Sequence, residues 1–266
     1  MNAGRPPEPT APAPSEPVPA PVYDRIGRGY AARRVADPRW RAAIDAALGD
    51  AATVVNVGAG AGSYEPADRA TVAVEPSTEM IRQRPPGAAP VVKGVAEALP
   101  LPDGAVDAAL AVLTTHHWTD AAAGLAELRR VAHRQVVLTW DPRIVARFWL
   151  VADYVPEIAA HEAGLATLDA VRSGLGRPTV TPLTVPRDCT DGVLAAHWAR
   201  PEAYLDPGVR AGMSGLSLLP ADVVARAMAH LSADLASGAW HERHGHLLDL
   251  DAFDVGYRIV VGERSA

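Results

Sequence analysis

A chain of 266 residues, 48% of them hydrophobic, can bury one sizeable core with an elaboration. Its 25 Lys and Arg against 31 Asp and Glu leave a net charge of −6, which weighs against a nucleic-acid partner. The single cysteine, Cys189, excludes an intramolecular disulfide framework and fits a reducing cytoplasm, and no apolar run reaches the ~18–20 residues of a membrane span.

Residues 1–21 hold eight prolines and no signal-peptide core, so they read as a disordered tail before one domain over 22–266. Asp37-Pro38 starts a helix with Trp40, Ile44, Ala47 and Leu48 on one face and Gly49 as its stop. A strand over 53–57 runs into Gly58-Ala59-Gly60-Ala61-Gly62-Ser63, where glycine at every second position lets a backbone turn sharply and approach a ligand. The spacing departs from the Gly-x-Gly-x-x-Gly of dinucleotide sites, and no Gly-Lys-Ser/Thr of a phosphate loop is present. Pro66 leaves room for about one helical turn between Ser63 and Arg69. The strand Thr71–Val74 then delivers Glu75 and Pro76, an acid placed to bond ribose hydroxyls.

A helix from Ser77 carries Met80 and Ile81 inward until Pro85-Pro86-Gly87, and a short strand over 90–93 leads to the turn Gly94–Leu101. The strand Ala105–Leu113 opens into Thr114-Thr115-His116-His117-Trp118-Thr119-Asp120, after which Asp120 caps a helix with Leu125, Leu128 and Val131 inward. The strand Gln135–Trp140 ends at Asp141-Pro142. The following helix, apolar at Ile144, Val145, Phe148, Trp149 and Val151, is either buried or the roof of a pocket. Further helical patterns cover about 157–173, 192–199 and 220–236. A strand over Thr179–Val185 contains Pro182 and so belongs at a sheet edge, and Asp254–Val261 alternates as a last strand.

The triple-glycine loop with Glu75, followed in order by Ala96-Glu97-x-Leu99-Pro100, resembles the cofactor site of class I S-adenosylmethionine-dependent methyltransferases over about residues 23–142. The resemblance implies an α/β fold, a doubly wound, seven-stranded, mostly parallel sheet of order 3-2-1-4-5-7-6. A helical insertion over about 190–248, before the last strand, is the candidate substrate lid. It implies S-adenosyl-L-methionine as cofactor, contacted by Asn56, Gly58, Ala59, Gly60, Gly62, Glu75, Pro76, Met80, Ala96, Glu97 and Leu113. Tyr30 and Arg33 either reach the methionyl end or are ordinary surface and packing residues, and Met80 either packs on adenine or belongs to the core. Two residues depart from the family pattern. Asn56 stands where an acid is usual, and Val95 where an Asp often reads adenine, which leaves the base to Glu97 or to the Ala96 backbone. Ala132-His133-Arg134 replaces the usual Pro-Gly-Gly turn.

Methyl transfer from a sulfonium asks a protein mainly to align the reactants and exclude water, with a general base where the acceptor is a hydroxyl or acidic carbon. His116 is the first candidate for that base and His117 the second, against a packing role for each. His241, His244 and His246 lack a fourth ligand, so no metal is expected there. They contact substrate or form a polar helix end, Arg243 pairs with an anionic substrate or is solvated, and Cys189 is inert. The expected protein is a cytoplasmic enzyme methylating a small organic acceptor, with no nucleic-acid or membrane partner. The alternatives are an inactive cofactor-binding regulatory or assembly module, an RNA methyltransferase, and a nicotinamide oxidoreductase. The acceptor atom (oxygen, nitrogen or carbon) and the oligomeric state stay open.

Overall fold

The computed structural model describes Asp24 and residues 34–264. The expectations for the tail over 1–21 and for Tyr30 and Arg33 lie outside the described residues. Helix α1 (Pro38–Leu48) begins as its sequence predicts. The Asp37 carboxylate accepts from the Arg39 amide, and Trp40, Ile44 and Leu48 form the buried stripe.

Five parallel strands follow: β1 (Thr53–Val57), β2 (Ala70–Glu75), β3 (Val91–Lys93), β4 (Val106–Val112) and β5 (Ala132–Trp140). With β6 (Thr179–Pro182) and β7 (Tyr257–Glu263) they make a seven-stranded sheet of order β3-β2-β1-β4-β5-β7-β6, the expected topology. β7 lies antiparallel to both β5 and β6, and Pro182 ends the edge strand opposite Arg258, where its missing N–H costs least. Helices α2 (Thr78–Arg82), α3 (Ala121–Val131), α4 (Glu157–Glu162), α5 (Leu168–Gly174) and α6 (Ala221–Ser237) complete the main elements. Alternate residues of the strands bury opposite faces. Val54, Leu110, Val136 and Leu138 pack with α1 and the segment after β5. Val55, Val57, Ala109 and Val137 pack against α3 and α5.

Four local expectations are corrected. Residues 192–199 are turns instead of a helix. The Leu194 carbonyl accepts from the Tyr204 hydroxyl and the Ala196 carbonyl from Arg200, so side chains replace helical partners while Val193 and Trp198 stay buried. The strand expected over 179–185 breaks after Pro182, and Val185–Pro186 pairs instead with Ala252–Phe253 in a separate two-stranded ribbon. The last strand starts at Tyr257, because the Asp254 carboxylate accepts from the Gly256 amide and from Arg258 and so closes a turn there. Helix α3 runs straight into β5, which starts at Ala132 without an intervening turn. The apolar segment after Asp141 proves buried: a helical turn at Pro142–Val145 and a π-helical turn at Leu150–Tyr154 place Phe148, Trp149, Leu150 and Val151 in the core. The pattern over 157–173 splits into α4 and α5, and the break leaves Glu162 at the end of α4. No described helix is long and apolar enough to cross a membrane.

Candidate active site

The carboxyl ends of β1, β2 and β4 surround a cavity of about 560 Å³, at the position where parallel α/β sheets bind ligands. Its floor is the glycine loop. Gly58 and Ala59 donate their amides to the Val74 carbonyl at 2.9 and 3.2 Å, which folds the loop across the end of β2. Gly58 and Gly60 hold φ of 64° and 55°, where a side chain would be strained. The Gly60 amide donates to Glu75 Oε2 and the Ser77 amide to Glu75 Oε1, each at 2.8 Å. A carboxylate has about four acceptor sites, so Glu75 keeps capacity for a ligand after holding the loop. Its burial raises its pKa, against the lowering by those two amides.

Most predicted site residues meet at this cavity. Asn56, Gly58, Ala59, Gly60, Glu75, Pro76, Met80, Ala96, Glu97, Leu113 and His117 all line it. Gly62 does not: its Cα faces the Glu65 carboxylate, 3.1 Å from where a Cβ would sit. Glu97 also accepts from the Asp120 amide at 3.1 Å, which braces the start of α3. Asn56 donates to Glu65 Oε1 at 3.3 Å, so its amide is tied backwards into the protein. The lining residues beyond the candidate site set include Arg34, Tyr64, Thr114 and Trp118. Trp118 had a sequence signal in Gly124. A Cβ there would lie 2.4 Å from Trp118 Cε3, so this glycine admits the indole against α3. Tyr64 and Arg34 are fixed over long range by Asp191, which accepts from the Tyr64 hydroxyl at 2.8 Å and pairs with Arg34.

A second cavity, of about 70 Å³, adjoins the first, and Arg34 and Leu113 line both. Leu113 is the only described non-glycine residue at positive φ, 50°, a strain held by its amide bond to the Leu138 carbonyl. His116 lines this second cavity, and its Nδ1 is buried with no hydrogen-bond partner among the described residues. Burial lowers the pKa of His116 well below the usual value and that of His117 to about 4, so both rings are neutral at pH 7. Val193, Leu194 and residues 212–215 also line this second cavity.

Glu162 also lines the second cavity, only 8% exposed, with Oε2 accepting from Trp140 Nε1 at 2.9 Å. Burial pushes its pKa up to about 7, against the lowering by Trp140. The folded state therefore holds this proton more tightly than the unfolded chain. The stability so gained is complete below about 4.5 and is lost as pH rises through about 7. Glu162→Gln, which keeps the shape and cannot ionise, is expected to be more stable than the parent by about 1–3 kcal/mol at pH 8. The gap should close below pH ~4.5; urea melts at the two pH values measure it, and a constant gap would contradict a buried, titrating Glu162.

The remaining candidates lie away from both cavities. His244 Nε2 sits 2.7 Å from Asp153 Oδ2, Arg243 pairs with Asp234 and takes part with the Tyr154 hydroxyl, and His241 and His246 are exposed. Among the described residues no group of three or more His, Cys, Asp or Glu is placed to hold a metal. Cys189 is buried and its thiol pKa is pushed up to about 12 by burial.

The family described as a methyltransferase domain matches residues 55–139. A crystal structure from Anabaena variabilis ATCC 29413, of a protein described as a methyltransferase from an antibiotic biosynthesis pathway, is 33% identical, with 86% of this chain and 98% of that one covered at a TM-score of 0.77. A geranyl diphosphate C-methyltransferase from Streptomyces coelicolor A3(2), solved with Mg2+, geranyl diphosphate and S-adenosyl-L-homocysteine, is 16% identical over 85% of this chain and 78% of its own, at a TM-score of 0.48. No functionally curated protein matches the sequence.

Proposed function

Because the chain belongs to the class I S-adenosylmethionine-dependent methyltransferases, with S-adenosyl-L-methionine as cofactor, we propose that it methylates a small organic acceptor by in-line displacement. The observation that carries this reading is the pairing of a cofactor-sized cavity of about 560 Å³ with a smaller, adjoining one of about 70 Å³ that Val193, Leu194 and residues 212–215 help to wall. A concave space of that size suits a small molecule better than a polymer. The antibiotic-pathway description of the Anabaena protein supports the same class of acceptor.

When bound, the cofactor supplies a methyl group already activated by its sulfonium charge. The chain's own part is to hold, orient and exclude water. In this proposal Glu75 bonds the ribose hydroxyls with the capacity it retains beside Gly60 and Ser77. Met80, Pro76 and Ala96 flank the adenine, with Glu97 at its edge, while Gly58, Ala59 and Gly60 form the backbone cradle. Asn56 and Leu113, with Tyr30 and Arg33, serve the methionyl end. His117 borders that cavity, and neutral His116 presents Nδ1 to the acceptor as a hydrogen-bonding or proton-accepting atom. The insertion over about 190–248 acts as the lid.

Calorimetry with S-adenosylmethionine and S-adenosylhomocysteine tests the reading. Both are expected to bind, NADH is not, and Glu75→Ala should weaken both by at least about tenfold, which is 1.4 kcal/mol. Binding of neither sulfur compound to the unaltered protein would sink the proposal.

A further inference from the structure

Glu162 has no counterpart in the cofactor cavity and no evident structural purpose. It is a carboxyl at the end of a short helix, buried, with one side-chain donor, Trp140 Nε1. Among the described residues no Lys, Arg or His pairs with it. An ionised carboxylate can accept about four hydrogen bonds, so most of its capacity faces the second cavity unused. A buried charge left this way is costly unless a partner arrives.

The rest of the cavity wall suits the same partner. Trp140 carries both polar groups, donating to Glu162 and meeting the His116 ring edge-on with centroids 4.6 Å apart. His116 is neutral, and its unpartnered Nδ1 accepts when the proton sits on Nε2. The rings of Trp140 and Tyr257 line the cavity with aromatic faces, and Val145, Val193, Leu194 and Met213 supply apolar wall. One cation opposes this. Arg34 stands at the neck between the cavities, but Asp191 neutralises it through a forked ion pair. The space itself, about 70 Å³, is enough to admit a CH2–NH3+ group.

We propose that this cavity is a subsite for a basic amine on the methyl acceptor, with the Glu162 carboxylate as its counter-ion and the Trp140 and Tyr257 rings as its walls. The inference rests on the methyl-transfer reading, since it takes the adjoining cavity as the acceptor's place. Glu162 sets specificity here: it selects an acceptor that carries an amine and rejects one that presents a carboxylate at that end.

The test uses the full chain saturated with S-adenosylhomocysteine and three probes, benzylamine, benzyl alcohol and benzoate, followed by calorimetry and ligand-observed NMR. Benzylamine is expected to bind at least tenfold more tightly than benzyl alcohol, and benzoate not to bind. Glu162→Gln should weaken benzylamine at least tenfold and leave S-adenosylhomocysteine within twofold, since Glu162 does not border the larger cavity. Gly215→Leu gives a second arm. A Cβ at Gly215 would meet only Ile158 Cδ1 and Leu194 Cδ2, both at 4.0 Å, so the new side chain can fill the subsite from the insertion without disturbing Glu162. It should abolish benzylamine binding and spare S-adenosylhomocysteine. Failure of benzylamine to bind, equal affinity for benzyl alcohol, or indifference to Glu162→Gln overturns the amine subsite while the cofactor reading stands. Loss of S-adenosylhomocysteine binding by the unaltered protein instead overturns the reading beneath it.

Discussion

Gly58→Ala is expected to destabilise the protein by about 2–5 kcal/mol and to cut S-adenosylhomocysteine affinity by roughly 100-fold or more. Two costs add. The residue holds φ of 64°, which costs an L-amino acid about 1–2 kcal/mol. A Cβ would also lie 2.0 Å from Thr114 Oγ1, 2.8 Å from its Cβ and 2.9 Å from its Cγ2. Rotating Thr114 can clear only one of its two γ positions and cannot move its Cβ, so the chain after β4 must shift. That segment walls the cavity at Leu113, Thr114 and His117, and the shift therefore reaches the ligand. Gly87→Ala is the matched control: φ is 86°, but a Cβ there meets nothing within 4 Å. It should cost only the backbone strain, about 1–2 kcal/mol, and leave cofactor affinity unchanged. Thermal melts and calorimetry on the two variants decide the matter. Equal losses in both would mean that the contact with Thr114 is unimportant.

That contact shows how far local sequence carries. The glycine spacing, Glu75 twelve places beyond Ser63, the caps at Asp37 and Asp120, and Pro182 at the edge were all readable, because each is a short-range rule of backbone chemistry. The same rules gave no view of groups that only the fold brings together. Glu162 looks like one more polar residue on a surface helix. It is buried because α4 stops after it and β5 delivers Trp140 beside it, 22 residues away in sequence. The segment 192–199 has the apolar spacing of a helix, yet Trp198 donates to the Val185 carbonyl and Tyr204 to Leu194, and those distant bonds outweigh the local pattern. Asn56 was read as a lost acid. In three dimensions a carboxylate lies directly behind it, contributed by Glu65 from the stretch where a helix would ordinarily run.

Arg84→Met should cost about 3–5 kcal/mol, because it strands that carboxylate. Glu65 and Arg84 form an ion pair at 2.6 Å with side chains 7% and 5% exposed. Arg84 also donates to the carbonyls of Gly60, at 3.2 Å, and Ala89, at 2.9 Å. Without the guanidinium, Glu65 keeps only the Asn56 amide and the Ala89 backbone amide, and the Gly60 carbonyl loses its donor. The substitution therefore acts on stability and on the cofactor loop together, and S-adenosylhomocysteine affinity should fall with it. The double variant Glu65→Leu/Arg84→Met removes both charges and should be more stable than Arg84→Met alone by at least about 1–2 kcal/mol, since a buried pair replaced by apolar groups often breaks even. The two outcomes separate charge from shape. If Arg84→Met is nearly silent in urea melts, the pair does not hold the loop. If the double variant regains stability but not affinity, the bond from Arg84 to Gly60 is what aligns the backbone that faces the cavity, and the acid displaced from position 56 to position 65 serves the loop from behind.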